Sequence, residues 1–107
     1  MEFQKMVHRA MDLRKKYDLK ETELYGSSST ASQLAEGFAS DVSNLIKFMQ
    51  AEHGQRDIAN STDRIESQLA HCLWSVITIS QMRGIDLERA FMESMDRLET
   101  HMMEADE

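Results

Sequence analysis

Residues Ile65–Leu98 read IESQLAHCLWSVITISQMRGIDLERAFMESMDRL, and the point at which this stretch breaks decides the fold. Up to Met82 it carries Leu69, Cys72, Leu73, Trp74, Val76, Ile77 and Ile79 with no helix breaker. These residues cover more of a helix circumference than a single core-facing stripe requires, which predicts a second apolar contact. Gly84 stops the helix, Asp86 is placed to cap the next one, and Ile85 with Ala90 can act as a hydrophobic staple. Leu87, Ala90, Phe91, Met95, Leu98 and Met102 then recur with helical spacing and predict the buried stripe of a closing helix. Glu104–Glu107 is expected to fray as an acidic tail.

Upstream, Ala35–Phe48 reads AEGFASDVSNLIKF and lies within a second helical pattern. Leu34, Ala35, Phe38, Val42, Leu45, Ile46 and Met49 form its apolar band, Ser29 or Thr30 can cap it, and Gly54 is a natural stop. His53–Ser61 is polar and reads as a turn, with Asn60, Ser61 or Thr62 available as the following cap. At the N-terminus, Phe3, Met6, Val7, Ala10, Leu13 and Tyr17 alternate with Lys5, Arg9, Asp12 and Lys16 as a first amphipathic helix. Asp18–Ser29 is charged and then turn-like at Tyr25-Gly-Ser-Ser-Ser, so it is expected to be a connection, either simply mobile or closing over a ligand. The expected helices are about 2–17, 30–52, 62–83 and 87–103, forming one all-α domain over residues 1–107, a four-helix bundle.

Composition narrows the class. The chain has no proline and nine methionines in 107 residues, which favours helix throughout and a single core of marginal size that association would support. A formal charge of −7 argues against binding to a nucleic acid polymer or to an anionic membrane, both of which need clustered Lys and Arg. The charged N-terminus contains no apolar run of signal or spanning length, and the lone Cys72 cannot form an intrachain disulfide; a cytoplasmic protein is expected. Within an apolar helix face Cys72 reads as a structural thiol.

Two polar pairs stand out against these apolar faces. Asp41 and Asn44 share one helix face a turn apart, and Gln68 and His71 repeat that spacing on the third helix. Such pairs converge on a common site in some helical bundles, and elsewhere they form a solvated helix face. Lys47, one turn after Asn44, can meet a phosphate or pair with a surface acid. Trp74 can stack on a base or serve the core. His8, His53 and His101 are scattered, and no Ser-His-Asp set, glycine-rich phosphate loop or Cys-x-x-Cys is visible.

Gln68-Leu-Ala-His71-Cys-Leu-Trp74, followed by Arg83-Gly-Ile-Asp-Leu-Glu-Arg-Ala-Phe91, resembles the second motif region of the MazG-like all-α nucleoside triphosphate pyrophosphohydrolases. Asp41-Val-Ser-Asn44-Leu45, in a Gly-Phe-x-x-Asp-Val setting at Gly37–Val42, resembles the first. In that family a helix with Glu-x-x-Glu faces one with Glu-x-x-Asp. The resemblance spans residues 1 to 100 in helix order and is specific around Leu69–Phe91. It implies a MazG-like bundle completed by dimerisation, as a homodimer or dimer of dimers. It also implies Mg²⁺-dependent cleavage of an NTP or dNTP into monophosphate and pyrophosphate, with Asp41, Asn44, Gln68 and His71 at the metal-ligand positions and Lys47 and Trp74 near substrate.

The chain departs from that pattern at three of the four positions, where Asn44, Gln68 and His71 replace acids. Magnesium dehydrates reluctantly and needs anionic oxygen ligands, so a normal two-ion site is not expected. Neither Glu36 nor Glu66 sits on the helix face of its neighbouring motif, Ser67 adds only a hydroxyl, and no second His or Cys is spaced to make His71 a zinc ligand. The alternative is a catalytically inactive dimer of the same fold that binds a nucleotide or a protein.

Overall fold

A computed structural model describes residues 2–54 and 60–105. It contains four helices, α1 (Glu2–Tyr25), α2 (Ala31–Glu52), α3 (Ser61–Met82) and α4 (Leu87–Ala105), and no strand among the described residues. The chain is all-α, as its composition predicts. None of the described helices is long and apolar enough to cross a membrane.

The helix ends follow local chemistry. Thr30 caps α2 with a reciprocal pair: the Gln33 amide donates to Thr30 Oγ1 at 3.1 Å and the Thr30 amide donates to Gln33 Oε1 at 2.9 Å. Asp86 Oδ1 accepts from the Arg89 amide at 3.1 Å and starts α4. Gly84 adopts φ +67°, the left-handed turn that ends α3, while the Ile85 amide reaches back to the Ser80 carbonyl at 2.9 Å. Asn60 precedes α3 at φ 58° and makes no side-chain capping bond. Of the expected His53–Ser61 turn, residues 55–59 lie outside the described residues. Of the acidic end expected to fray, Glu104 and Ala105 are helical, and its last two residues lie outside the described residues.

The expected connection over Asp18–Ser29 is corrected by the structure. The first helix does not end near Tyr17 but runs on to Tyr25, and the link shrinks to Gly26–Thr30. Leu19-Lys-Glu-Thr-Glu-Leu contains good helix formers and no breaker before Gly26, which turns at φ +85° and donates its amide to the Thr22 carbonyl at 2.9 Å. Charge in this stretch serves the helix itself: Asp18 and Glu21 bind Arg14 from one and two turns on. Segment 18–25 is therefore no loop that closes over a ligand.

Packing centres on α3. Its start is tied to the end of α2 by Thr62 Oγ1 donating to Glu52 Oε1 at 2.8 Å, and Asp41 of mid-α2 shares a cleft with His71 and Ser75 of mid-α3. The two helices thus run antiparallel as an extensive hairpin. On α1, Ala10 meets Trp74, and Phe3 and Val7 share a hollow with Gln81 near the end of α3. Helix α1 therefore also runs against α3, on its C-terminal half, and meets α2 near Trp74.

Helix α4 packs extensively against none of the other three. The expectation that its stripe is buried is corrected: Phe91 is 57% and Leu98 58% exposed, and Met95 and Met102 are exposed as well. Only Leu87 and Ala90 are half-buried. The described residues hold one fully buried apolar side chain, Ile77 at 2% exposure, beside Thr78, Ser80 and Arg14. The radius of gyration is 17.3 Å, against about 13 Å for a compact chain of this length. The helices follow the sequence pattern; the four-helix core is left open within one chain.

Candidate functional site

Helices α1, α2 and α3 meet at a cleft of about 430 Å³. Arg14, Tyr17 and Glu21 come to it from α1, Asp41 from α2, and His71 and Trp74 from α3. Helical spacing explains each contribution. Arg14, Tyr17 and Glu21 follow one another at three- and four-residue steps, as do His71 and Trp74, so each set lies along a single face.

Trp74 is held from two directions. Its indole Nε1 donates to the Ala10 carbonyl of α1 at 3.0 Å, and its ring meets the Tyr17 ring at 5.4 Å between centroids, tilted by 57°. That tilted contact is the attractive arrangement for two aromatic quadrupoles. The Arg14 guanidinium lies 5.8 Å from the centroid of the Tyr17 ring, a cation–π contact. The aromatic wall of the cleft is thus built by α1 and α3 together.

Arg14 is only 6% exposed, and sequence reasoning missed it. Its Nε donates to Asp18 Oδ1 at 2.8 Å and its Nη2 to Glu21 Oε2 at 2.7 Å. Glu21 Oε1 in turn accepts from both the amide and the hydroxyl of Ser29, at 2.8 and 2.9 Å, which ties the α1–α2 link to the helix. Burial works against the Arg14 charge, but the hydrogen bonds to Glu21 and Asp18 outweigh it and raise its pKa. The hydrogen bond from Arg14 holds the Glu21 carboxyl below its ordinary range, with the Ser29 bonds adding to it against an opposing effect of burial. The available signal was an arginine followed by acids at the fourth and seventh positions, the two that share its helix face.

The residues singled out from the sequence divide into two groups. Asp41, His71 and Trp74 line the common cleft; Asn44, Gln68 and Lys47 do not. Asp41, Asn44 and Gln68 are half-buried, while His71 and Lys47 are exposed. Gln68 Oε1 is buried and has no hydrogen-bond partner among the described residues, an arrangement that costs about 1–3 kcal/mol. Burial pushes the Cys72 thiol up, with the Asp41 charge adding to the shift. The raised value disfavours the reactive thiolate, in keeping with a structural role.

The magnesium implied by the family resemblance does not fit these donors. Of its four ligand positions only Asp41 carries a carboxylate, and the other acid lining the cleft, Glu21, is committed to Arg14 and Ser29. Among the described residues no group of three His, Cys, Asp or Glu side chains is placed to hold a metal ion. Neutral amides and an imidazole are poor replacements for hard anionic oxygens.

What the cleft offers instead is a fixed aromatic wall, an accessible imidazole, the Asp41 carboxylate, and the polar groups of Gln33 and Ser75. Its one lining cation, Arg14, is already neutralised by two acids. Such a lining suits a flat, hydrogen-bonding ring better than a run of phosphates. No family model, no curated protein and no solved structure matches the chain.

Proposed function

We propose that the chain is a MazG-like helical module that holds the nucleoside part of a nucleotide in the α1–α2–α3 cleft without metal-dependent hydrolysis. The observation that carries this reading is the joint placement of Asp41, His71 and the Tyr17–Trp74 pair around one cleft whose expected metal ligands are mostly neutral. The base stacks against Trp74 or Tyr17. Asp41 accepts from a ring or exocyclic N–H, and His71 and Ser75 bond the sugar or base edge. A nucleoside or monophosphate binds better than a triphosphate, because no lining cation is free to meet the phosphates and Asp41 repels them.

The same reading makes the protein a cytoplasmic homodimer. Its thin core, its extended shape and the exposed large apolar residues of α2, α3 and α4 support association through a symmetric interface.

Trp74 is the only tryptophan in the chain, so its emission reports directly on the cleft. Titration with nucleosides and monophosphates should change that emission, triphosphates should do so more weakly, and no pyrophosphate should be released with Mg²⁺ or Mn²⁺. Pyrophosphate release by the native chain would instead establish the hydrolase that the resemblance implies. Release only from the triple variant Asn44→Glu, Gln68→Glu, His71→Asp would identify a fold that has lost its metal chemistry. If no nucleoside changes the emission or the melting temperature, the nucleotide reading is wrong.

A further inference from the structure

We propose that α4 of one chain seats in the groove between α1 and α3 of a second copy, and that the second copy returns its own α4 in the same way. The inference rests on the homodimer reading above and specifies which surfaces form it.

The groove has a volume of about 450 Å³ and an almost wholly apolar floor, formed by Met6, Ala10 and Leu13 of α1 with Leu73 and Ile77 of α3. Met6 is 45% and Leu73 40% exposed, so none of the described residues covers it fully. Lys5 and Arg9, both exposed, border it from α1. Facing solvent elsewhere on the same chain is a helix that fits this description in reverse. Phe91, Met95, Leu98 and Met102 of α4 share one face at three- and four-residue steps, a stripe of the width that fills a groove between two helices.

Charge favours the same pairing. Helix α4 carries five acids, Glu88, Glu93, Asp96, Glu99 and Glu104, against two arginines. On a helix advancing about 100° per residue, Glu88, Asp96 and Glu99 fall on one side of the apolar stripe. Helix α1 carries six bases against five acids, and with Arg14 and the two acids bound to it set aside, five bases remain against three acids. An acidic edge beside an apolar stripe thus meets a basic edge beside an apolar groove. Such complementarity fixes register and orientation in an interface.

The occupant is a second copy because of where α4 begins. Asp86, Leu87 and Glu88 share a hollow with Phe3, Gln4 and Val7, so the first turn of α4 is held at the N-terminal end of α1. From there the helix leaves its own groove open and presents the stripe outward. A symmetric pair satisfies both surfaces at once, since each chain supplies one groove and one helix.

The test uses two charge-reversed forms of the full chain, Lys5→Glu with Arg9→Glu and Asp96→Lys with Glu99→Lys, in sedimentation velocity with circular dichroism to verify helix content. The native chain should be a dimer at micromolar concentration. Each variant should keep its helices and self-associate at least about tenfold more weakly, because like charges now face each other across both copies of the contact. An equimolar mixture of the two variants should restore a dimer, since in the mixed pair both contacts again oppose unlike charges. If both variants dimerise like the native chain, the groove assignment is overturned while the homodimer reading stands. If they weaken and the mixture fails to recover, the pairing of these two edges is overturned. A monomeric native chain overturns the homodimer reading and this proposal with it; protection of α4 from hydrogen exchange in that monomer would mean that the helix folds back on its own groove.

Discussion

Trp74 and Phe91 are both aromatic residues on helices that the sequence marks as amphipathic, yet they end in opposite situations. Trp74 is tied to α1 by a hydrogen bond to Ala10 and by the Tyr17 ring. Phe91 stands 57% exposed on a helix with little contact to the rest of its chain. Around Trp74, three helices supply complementary surfaces, and polar groups such as Arg14 find partners on the spot. Around Phe91, an equally regular stripe is left largely uncovered by the described residues of its own chain. A helical pattern states that a face wants cover; it does not name the cover.

The sharpest way to break this contrast is to remove its fixed side. Trp74→Ala should destabilise the chain by about 2–3 kcal/mol in urea unfolding, less than a fully buried tryptophan would cost because the ring is half-buried. Arg14→Ala should cost about 1–2 kcal/mol, since it strands Asp18 and Glu21, which are partly solvated and so less penalised than wholly buried acids. At the boundary between the two regions, Gly84→Ala forces a side chain into φ +67° and should cost about 1 kcal/mol.

Acid should act on the fixed region through Glu21. The Glu21 pKa is lowered by folding, so the unfolded chain binds this proton more readily than the folded chain does. Its stabilising contribution is present above the ordinary glutamate range and is lost as pH falls through the lowered value. In Glu21→Gln the acid-side decline of the melting temperature should be shallower than in the native chain. The smallest effect belongs to α4: Leu98→Ser, measured below the concentration of self-association, should change folding stability by about 0.5 kcal/mol or less. A larger loss in the isolated chain would mean that α4 is held in cis.

Much of the fold was legible because helix ends obey chemistry within one turn. The Thr30 cap, the Gly54 and Gly84 stops and the Asp86 start all lie where side-chain and backbone preferences alone put them. Only at Asp18 did the charge density suggest a connection, although those acids stabilise the helix through Arg14. The candidate site was legible in part: Asp41, His71 and Trp74 share a cleft, whereas Asn44, Gln68 and Lys47 lie outside its lining. Arg14 and Tyr17 could not be assigned to it from spacing alone, since the same step that sets them beside the cleft also describes an exposed helix face.

The sequence by itself determined that this chain is helical, where α2 and α3 end, and that Asn44, Gln68 and His71 stand where the resembled family carries acids. These are properties of residue identity and of interactions spanning about four positions. Only the tertiary structure decided which faces meet: that α1 crosses to Trp74, that Arg14 is buried, and that the stripe of α4 is left facing outward. The physical reason is that hydrophobic burial is non-directional. A stripe gains the same free energy whether its cover comes from its own chain or from another, so its pattern cannot specify the partner.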